Sequence, residues 1–156
     1  MDAIQLILQD HQTVNRLFEQ FEQQGDQAAG AQKEQLAQQI CKLLTVHTQL
    51  EEELFYPAAR QAIGAHDLLD EATVEHASAR DLVEQIQGMD PSEDLYDAKV
   101  TVLGEYVRHH VKEEETELIP LLQQQGGGLD FNQLGQQMMA RRQELMAEQG
   151  VQEPTA

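Results

Sequence analysis

Apolar residues recur at three- and four-residue spacing along most of the chain, the pattern of amphipathic helices. In a first segment, from Asp2 to Gln24, the positions Ile4, Leu8, His11, Val14, Phe18 and Phe21 share one side, and Gly25 stops it. A second, from about Ala31 to Ile63, turns Leu36, Ile40, Leu43, Leu44, His47, Leu50, Leu54 and Phe55 inward. Pro57 has no N–H to give, so it should kink this helix or end its first half; Gly64 closes it. The third runs from about His66 to Gln87 with Leu69, Ala72, His76, Ala79, Val83 and Ile86 inward. Asp90-Pro91-Ser92 starts the fourth, which reaches about Gln125 with Val100, Leu103, Val107, His110, Leu118 and Leu121 near the inner face and Pro120 perturbing its end. Beyond a flexible Gly126-Gly127-Gly128 break, Phe131 to Gln149 carries a weak stripe of Leu134, Met138 and Leu145 and reads as a fifth helix outside the others. Residues Gly150 to Ala156 are expected to be loose.

The pattern repeats. DHQTVNRLFEQF begins at Asp10 and EHASARDLVEQI at Glu75; in each, an acid–His pair is followed at equal distance by Leu17 or Leu82 and then by Glu-Gln. HTQLEEELFYP begins at His47 and HVKEEETELIP at His110, and both reach proline ten residues after the histidine. The chain therefore reads as two duplicated helical hairpins, 1–64 and 65–125. The expected fold is all-α, an up-down-up-down four-helix bundle with a shorter C-terminal helix. Residues 1–125 form the bundle; 126–156 supply the glycine linker, the last helix and a tail.

Composition narrows the partners. The 156 residues carry a formal net charge of −18, which repels phosphate backbones and anionic lipid, so neither nucleic acid nor membrane is expected as a partner. A single cysteine, Cys41, excludes an intrachain disulfide and reads as a small core residue. No apolar run approaches a membrane span and the start lacks a basic leader, which makes the cytoplasm the expected compartment.

The chemistry lies in the histidines. Residues four apart share a helix face, so His47 with Glu51, and His110 with Glu114, can reach one point together, while His11 and His76 add one imidazole each. Four imidazoles and two carboxylates inside an apolar bundle are costly to bury unless a metal satisfies them. Imidazole with carboxylate suits mid-row metals, iron among them, better than calcium or magnesium. Two metals sharing two carboxylates, with two histidines each and a bridging water or hydroxide, would keep room for a small exogenous ligand. The Glu-x-x-His of ferritin-like di-iron proteins is absent, since Leu8, Leu44, Thr73 and Val107 stand three before the four histidines. No zinc-peptidase motif, cysteine cluster or EF-hand loop is present. His109 is the rival of His110, and the repeat alignment selects His110. Tyr106 shares the His110 face, either bonding a metal-bound ligand or packing in the core. Arg80 could pair with an inner acid but reads rather as a solvated outer residue, and His66 as a capping or surface residue.

Asp10-His11, His47-x3-Glu51, Glu75-His76 and His110-x3-Glu114 together resemble the hemerythrin-like (HHE cation-binding) domain over about residues 2–125. That resemblance implies a non-haem di-iron site with an oxo, hydroxo or water bridge, held by His11, His47, Glu51, His76, His110 and Glu114. It also implies binding of dioxygen, nitric oxide or a related small oxidant such as peroxide. The respiratory carriers have a further histidine where Arg80 stands, and an aspartate five residues after the fourth-helix histidine rather than Glu114 at four. The missing imidazole points away from reversible oxygen carriage and toward a bacterial-type six-residue site used in sensing, storage or stress defence. An enzyme turning over peroxide, dioxygen or nitric oxide with an external electron donor is the alternative; an iron-responsive interaction module, its outer helix meeting a partner, is another. Binding rather than catalysis is the expectation, with no catalytic residue assigned and the oligomeric state open.

Overall fold

The structure, a computed structural model, describes residues 1–24, 30–64 and 66–151. The expected stop at Gly25 and most of the expected tail lie outside the described residues. Helices α1 (Ala3–Gln24), α2 (Gly30–Leu50), α3 (Tyr56–Ile63), α4 (Asp67–Gln87), α5 (Tyr96–Glu113), α6 (Ile119–Gln125) and α7 (Phe131–Gln149) account for nearly all of it. Two π-turns, Glu51–Phe55 and Glu114–Leu118, join α2 to α3 and α5 to α6 into continuous rods. The four rods pack as a square: α1 lies beside α2 and α5, and α4 beside the same two. No described helix is long and apolar enough to cross a membrane.

Pro57 and Pro120 are thus absorbed rather than breaking their helices. A helical proline lacks its N–H and crowds the carbonyl four residues back. The ladder answers by widening: Tyr56 N–H donates to Glu51 O, and Ile119 N–H to Glu114 O, five residues back. The expected start of the fourth rod at Asp90-Pro91-Ser92 is also corrected. Asp90 accepts from the Ser92 N–H and hydroxyl in a turn, and α5 begins at Tyr96. The glycine break is a closed turn, with Gly126 N–H donating to Leu122 O and Leu129 N–H to Gly126 O.

Phe18, Phe21, Ile40, Val83, Ile86, Val100 and Leu103 are buried, as the helical periodicity required, and each such side chain contributes about 1.5–3 kcal/mol. Leu8 and Leu121 are only partly buried, whereas Ala3, Leu6, Ile7 and Leu122 are fully enclosed. The difference at the N-terminus has one cause: α7 lies along α1, α2 and the first π-turn. Helix α1 therefore needs a second apolar stripe. Leu134, Met138, Leu145 and Met146 face inward from α7. A Cβ on Gly135 would lie 2.6 Å from Met1 O, so only glycine allows α7 this close to the N-terminal backbone.

Candidate metal centre

His11, His47, Glu51, His76 and Glu114 are buried inside the bundle, and His110 nearly so. The i,i+4 spacing sets His47 Nε2 3.2 Å from Glu51 Oε1 and His110 Nε2 3.1 Å from Glu114 Oε2. Across the bundle, His11 Nε2 lies 3.3 Å from Glu114 Oε1, and His76 Nε2 3.2 Å from Glu51 Oε1. Each glutamate thus bridges the two hairpins. Donor atoms of His11, His47, Glu51 and Glu114 gather within 4.8 Å of one another, as do those of Glu51, His76 and His110.

Four inward atoms have no hydrogen-bond partner: His11 Nε2, His47 Nε2, Glu51 Oε2 and Glu114 Oε1. The contacts at 3.2–3.3 Å noted above for His11 and His47 are close but not aligned as hydrogen bonds. Leaving such atoms buried and unsatisfied costs about 1–3 kcal/mol each or more. All four belong to the first of the two groups, so a cation there would satisfy the whole set. The donor chemistry and its orphaned atoms fit a mid-row metal.

The outer nitrogens face a ring of acids, hydrogen-bonded at His47 and His11 and without a hydrogen-bond partner at His76 and His110. His47 Nδ1 lies 3.0 Å from Asp10 Oδ2, and His11 Nδ1 3.3 Å from Glu115 Oε2. His110 Nδ1 faces Glu75 Oε1 at 3.7 Å, and His76 Nδ1 faces Glu52 Oε1 at 4.0 Å. The duplication explains the scheme. The acid preceding a first-helix histidine faces its own hairpin's second histidine; the acid following each glutamate faces the first-helix histidine of the opposite hairpin. At His47 and His11 the carboxylate on Nδ1 fixes the tautomer that points Nε2 inward. In the sequence, Glu52 and Glu115 were hidden inside acidic runs.

Sequence reasoning missed Tyr56. Five residues of α-helix would turn it about 140° away from Glu51, but the π-turn brings it back to the same side. Its hydroxyl donates to Glu114 Oε2 at 2.7 Å and lies 3.2 Å from His76 Nε2, 3.3 Å from His110 Nε2 and 3.3 Å from Glu51 Oε1. The only prior signal was the proline one residue later. The repeat places Ile119 at the matching position of the second hairpin.

Charge follows geometry. Burial would lower the His47 and His110 pKa values, but neighbouring carboxylates outweigh it. Glu51 and Asp10 hold His47 well above the ordinary imidazole range, and Glu114, Glu51 and Glu75 push His110 up to about 12. Burial works against the Glu51 carboxylate, yet the neighbouring His47 charge keeps its pKa well below the usual range. Burial, then the charges of Glu51 and Glu114, push the Tyr56 phenol well above its usual value.

Other candidates separate cleanly. His109 is exposed, bonded to Glu113 at 3.0 Å on the outer surface, and its ring is not among the inward donors. Tyr106 is 50 % exposed and not a packed core residue. Arg80 sits on the surface but grips Glu52 at 2.6 Å, the acid facing His76. His66 caps α4 by accepting from Leu68 N–H, and Cys41 is buried, its thiol pushed up to about 12 by desolvation. A cavity of about 30 Å³ adjoins the histidines, walled by Val14, Leu44, Ala79, Val107 and Val111. Glu75 and Tyr106 line both this cavity and a surface groove of about 600 Å³ between α4 and α5.

Comparison with known proteins places this architecture. The family model described as Hemerythrin HHE cation binding domain matches residues 2–122. A DNA nickase from Nostoc sp. (strain PCC 7120) is 35 % identical over 119 residues, which cover 76 % of this chain but 32 % of that protein. The chain thus spans about a third of that relative's length. A crystal structure of a Hemerythrin HHE cation binding domain-containing protein, the Rv2633c homologue from Mycobacterium kansasii, superposes with a TM-score of 0.76 at 21 % identity, covering 95 % of this chain and 89 % of that one. At that identity the likeness is one of fold.

Proposed function

Because this chain belongs to the Hemerythrin HHE cation binding domain family, we propose that it is a non-haem di-iron protein binding dioxygen, nitric oxide or a related small oxidant for sensing, storage or stress defence. His11, His47, His76 and His110, with Glu51 and Glu114, would hold the iron. The observation that carries the metal-binding part of this reading is the set of four unsatisfied inward atoms on His11, His47, Glu51 and Glu114; the second iron rests on the matching donor group of Glu51, His76 and His110. Iron bound there would supply an open coordination position and one-electron redox chemistry to a small ligand.

The protein's own residues limit what arrives. The 30 Å³ cavity admits a molecule of about two or three heavy atoms, and its aliphatic wall favours an uncharged one. Tyr56 keeps its proton at the second metal position and can donate it to Glu114 or to a ligand. That hydroxyl favours a second reading, turnover of peroxide, dioxygen or nitric oxide with electrons from an external donor. The interaction-module reading loses ground, since the apolar stripe of α7 is spent on α1 and α2 and none of the exposed large hydrophobics among the described residues lies on α7. We take residues 1–125 as the metal-binding bundle and 126–156 as an accessory to it. The net charge of −18 supports excluding nucleic acid as a partner; the nickase name belongs to a protein that lies two-thirds outside the match. A cytoplasmic setting agrees with the lone, buried cysteine.

Metal analysis and an optical spectrum of protein prepared with iron test this reading. Two irons per chain, with near-ultraviolet bands that shift on adding azide or nitric oxide, are expected. Iron-free protein, or a spectrum indifferent to both ligands, would overturn it.

A further inference from the structure

Helix α7 reaches farther inward than an outer helix needs to. Arg142 is buried, and its Nη1 donates to both oxygens of Asp10, at 2.6 and 2.8 Å. Asp10 Oδ2 in turn lies 3.0 Å from His47 Nδ1, and His47 Nε2 is one of the unsatisfied inward atoms. Arg142, Asp10 and His47 thus form an enclosed chain running from the fifth helix to the centre. Arg141, beside it, bonds Glu53 of the first π-turn at 2.8 Å, which ties the same helix to the segment bearing Glu51. The matching acid of the second hairpin, Glu75, has no counterpart to α7 over it and faces the open groove.

We propose that Arg142 is a positioning residue of the metal centre, acting through Asp10 on His47; this rests on the proposed metal-binding role of His47. A guanidinium that bonds both oxygens of a buried carboxylate stops its rotation and offsets part of its desolvation cost. Held in this way, Asp10 presents Oδ2 to Nδ1, fixes the His47 ring plane and keeps its lone pair on the inward nitrogen. The helix beyond the glycine turn is then part of the site, and removing residues 126–156 would not spare it.

Cobalt(II) titration of the full chain tests this, because its visible bands report ligand orientation and competition with a chelator gives affinity. Arg142→Met should weaken affinity about 10- to 100-fold and shift the bands, with Arg142→Lys restoring part of both. In an Asp10→Asn background, Arg142→Met should add little, since the pathway is already cut. Leu145→Ala, which loosens α7 without touching Asp10, should lower melting temperature and leave the bands in place. Wild-type bands and affinity in Arg142→Met would overturn the proposal. So would equal band shifts in Leu145→Ala, or fully additive effects with Asp10→Asn. If Arg142→Met does not fold, Arg142→Lys carries the test: bands and affinity identical to wild type would overturn the proposal. Failure of the wild-type protein to bind cobalt would instead sink the metal-binding reading itself.

Discussion

In the first hairpin the acid beside the second-helix histidine, Asp10, is enclosed and gripped by Arg142. Its counterpart in the second, Glu75, is about a quarter exposed, with His109 and Glu113 around it at the edge of a groove. The inner atoms of the two halves match, and the surroundings do not. A duplicated site can keep its contacting groups while its outer layers diverge, because only the former must meet at a common point. The second difference is local: Tyr56 sets a hydroxyl among the inward donors, where the other hairpin has Ile119. One side of the centre is therefore sealed by a helix, and the other borders solvent through Glu75 and Tyr106.

The largest effect should come from what the halves share. Glu51 contributes to both donor groups, so Glu51→Ala should reduce bound iron to background, whereas His110→Ala should empty the second position and keep part of the first. Equal losses in both variants, measured as iron per folded chain, would show that the two positions are not separable.

The sealed side should also be the stability-critical one. Met138, on the inner face of α7, is fully buried, and Met138→Ala should cost about 2–5 kcal/mol. Val74, exposed at the groove, should change stability by less than about 0.5 kcal/mol when replaced by alanine. Denaturant unfolding of the two variants measures the contrast directly, and similar losses would erase it.

Proton release provides the subtler comparison. Neighbouring carboxylates push His110 up to about 12 and hold His47 well above its ordinary value, so both are charged near neutrality. Their pairing with carboxylates contributes stability that is complete below about 6.5 and fades as pH rises toward 12. Metal binding requires neutral imidazoles. Uptake should therefore release protons, and affinity should rise with pH, about tenfold per unit for each proton displaced. Calorimetric titration in buffers of different ionisation enthalpy reads this; a pH-independent affinity would contradict it.

Much of the architecture was legible because it depends on spacing. Histidines on apolar stripes, each with an acid four residues on or one before, must converge when two hairpins pair. What escaped depends on changes to that spacing or on contacts outside it. A π-turn shifts the helical register by one residue, so Tyr56 faces the site although an unbroken helix would turn it away. Arg142 interrupts an already weak stripe and has meaning only beside Asp10, 132 positions earlier. Ala3, Leu6 and Ile7 look like a surplus apolar face until α7 covers them, and Glu52 and Glu115 look like solvated acids until opposite histidines meet them.

Two metal positions are proposed between named side chains, and anomalous diffraction at the iron edge from crystals of iron-loaded protein tests them most directly. Two peaks are expected, one beside His11 and His47, the other beside His76 and His110, with Glu51 and Glu114 between them. A single peak elsewhere, or one at the outer Glu75, His109 and Glu113 cluster with none inside the bundle, would contradict it.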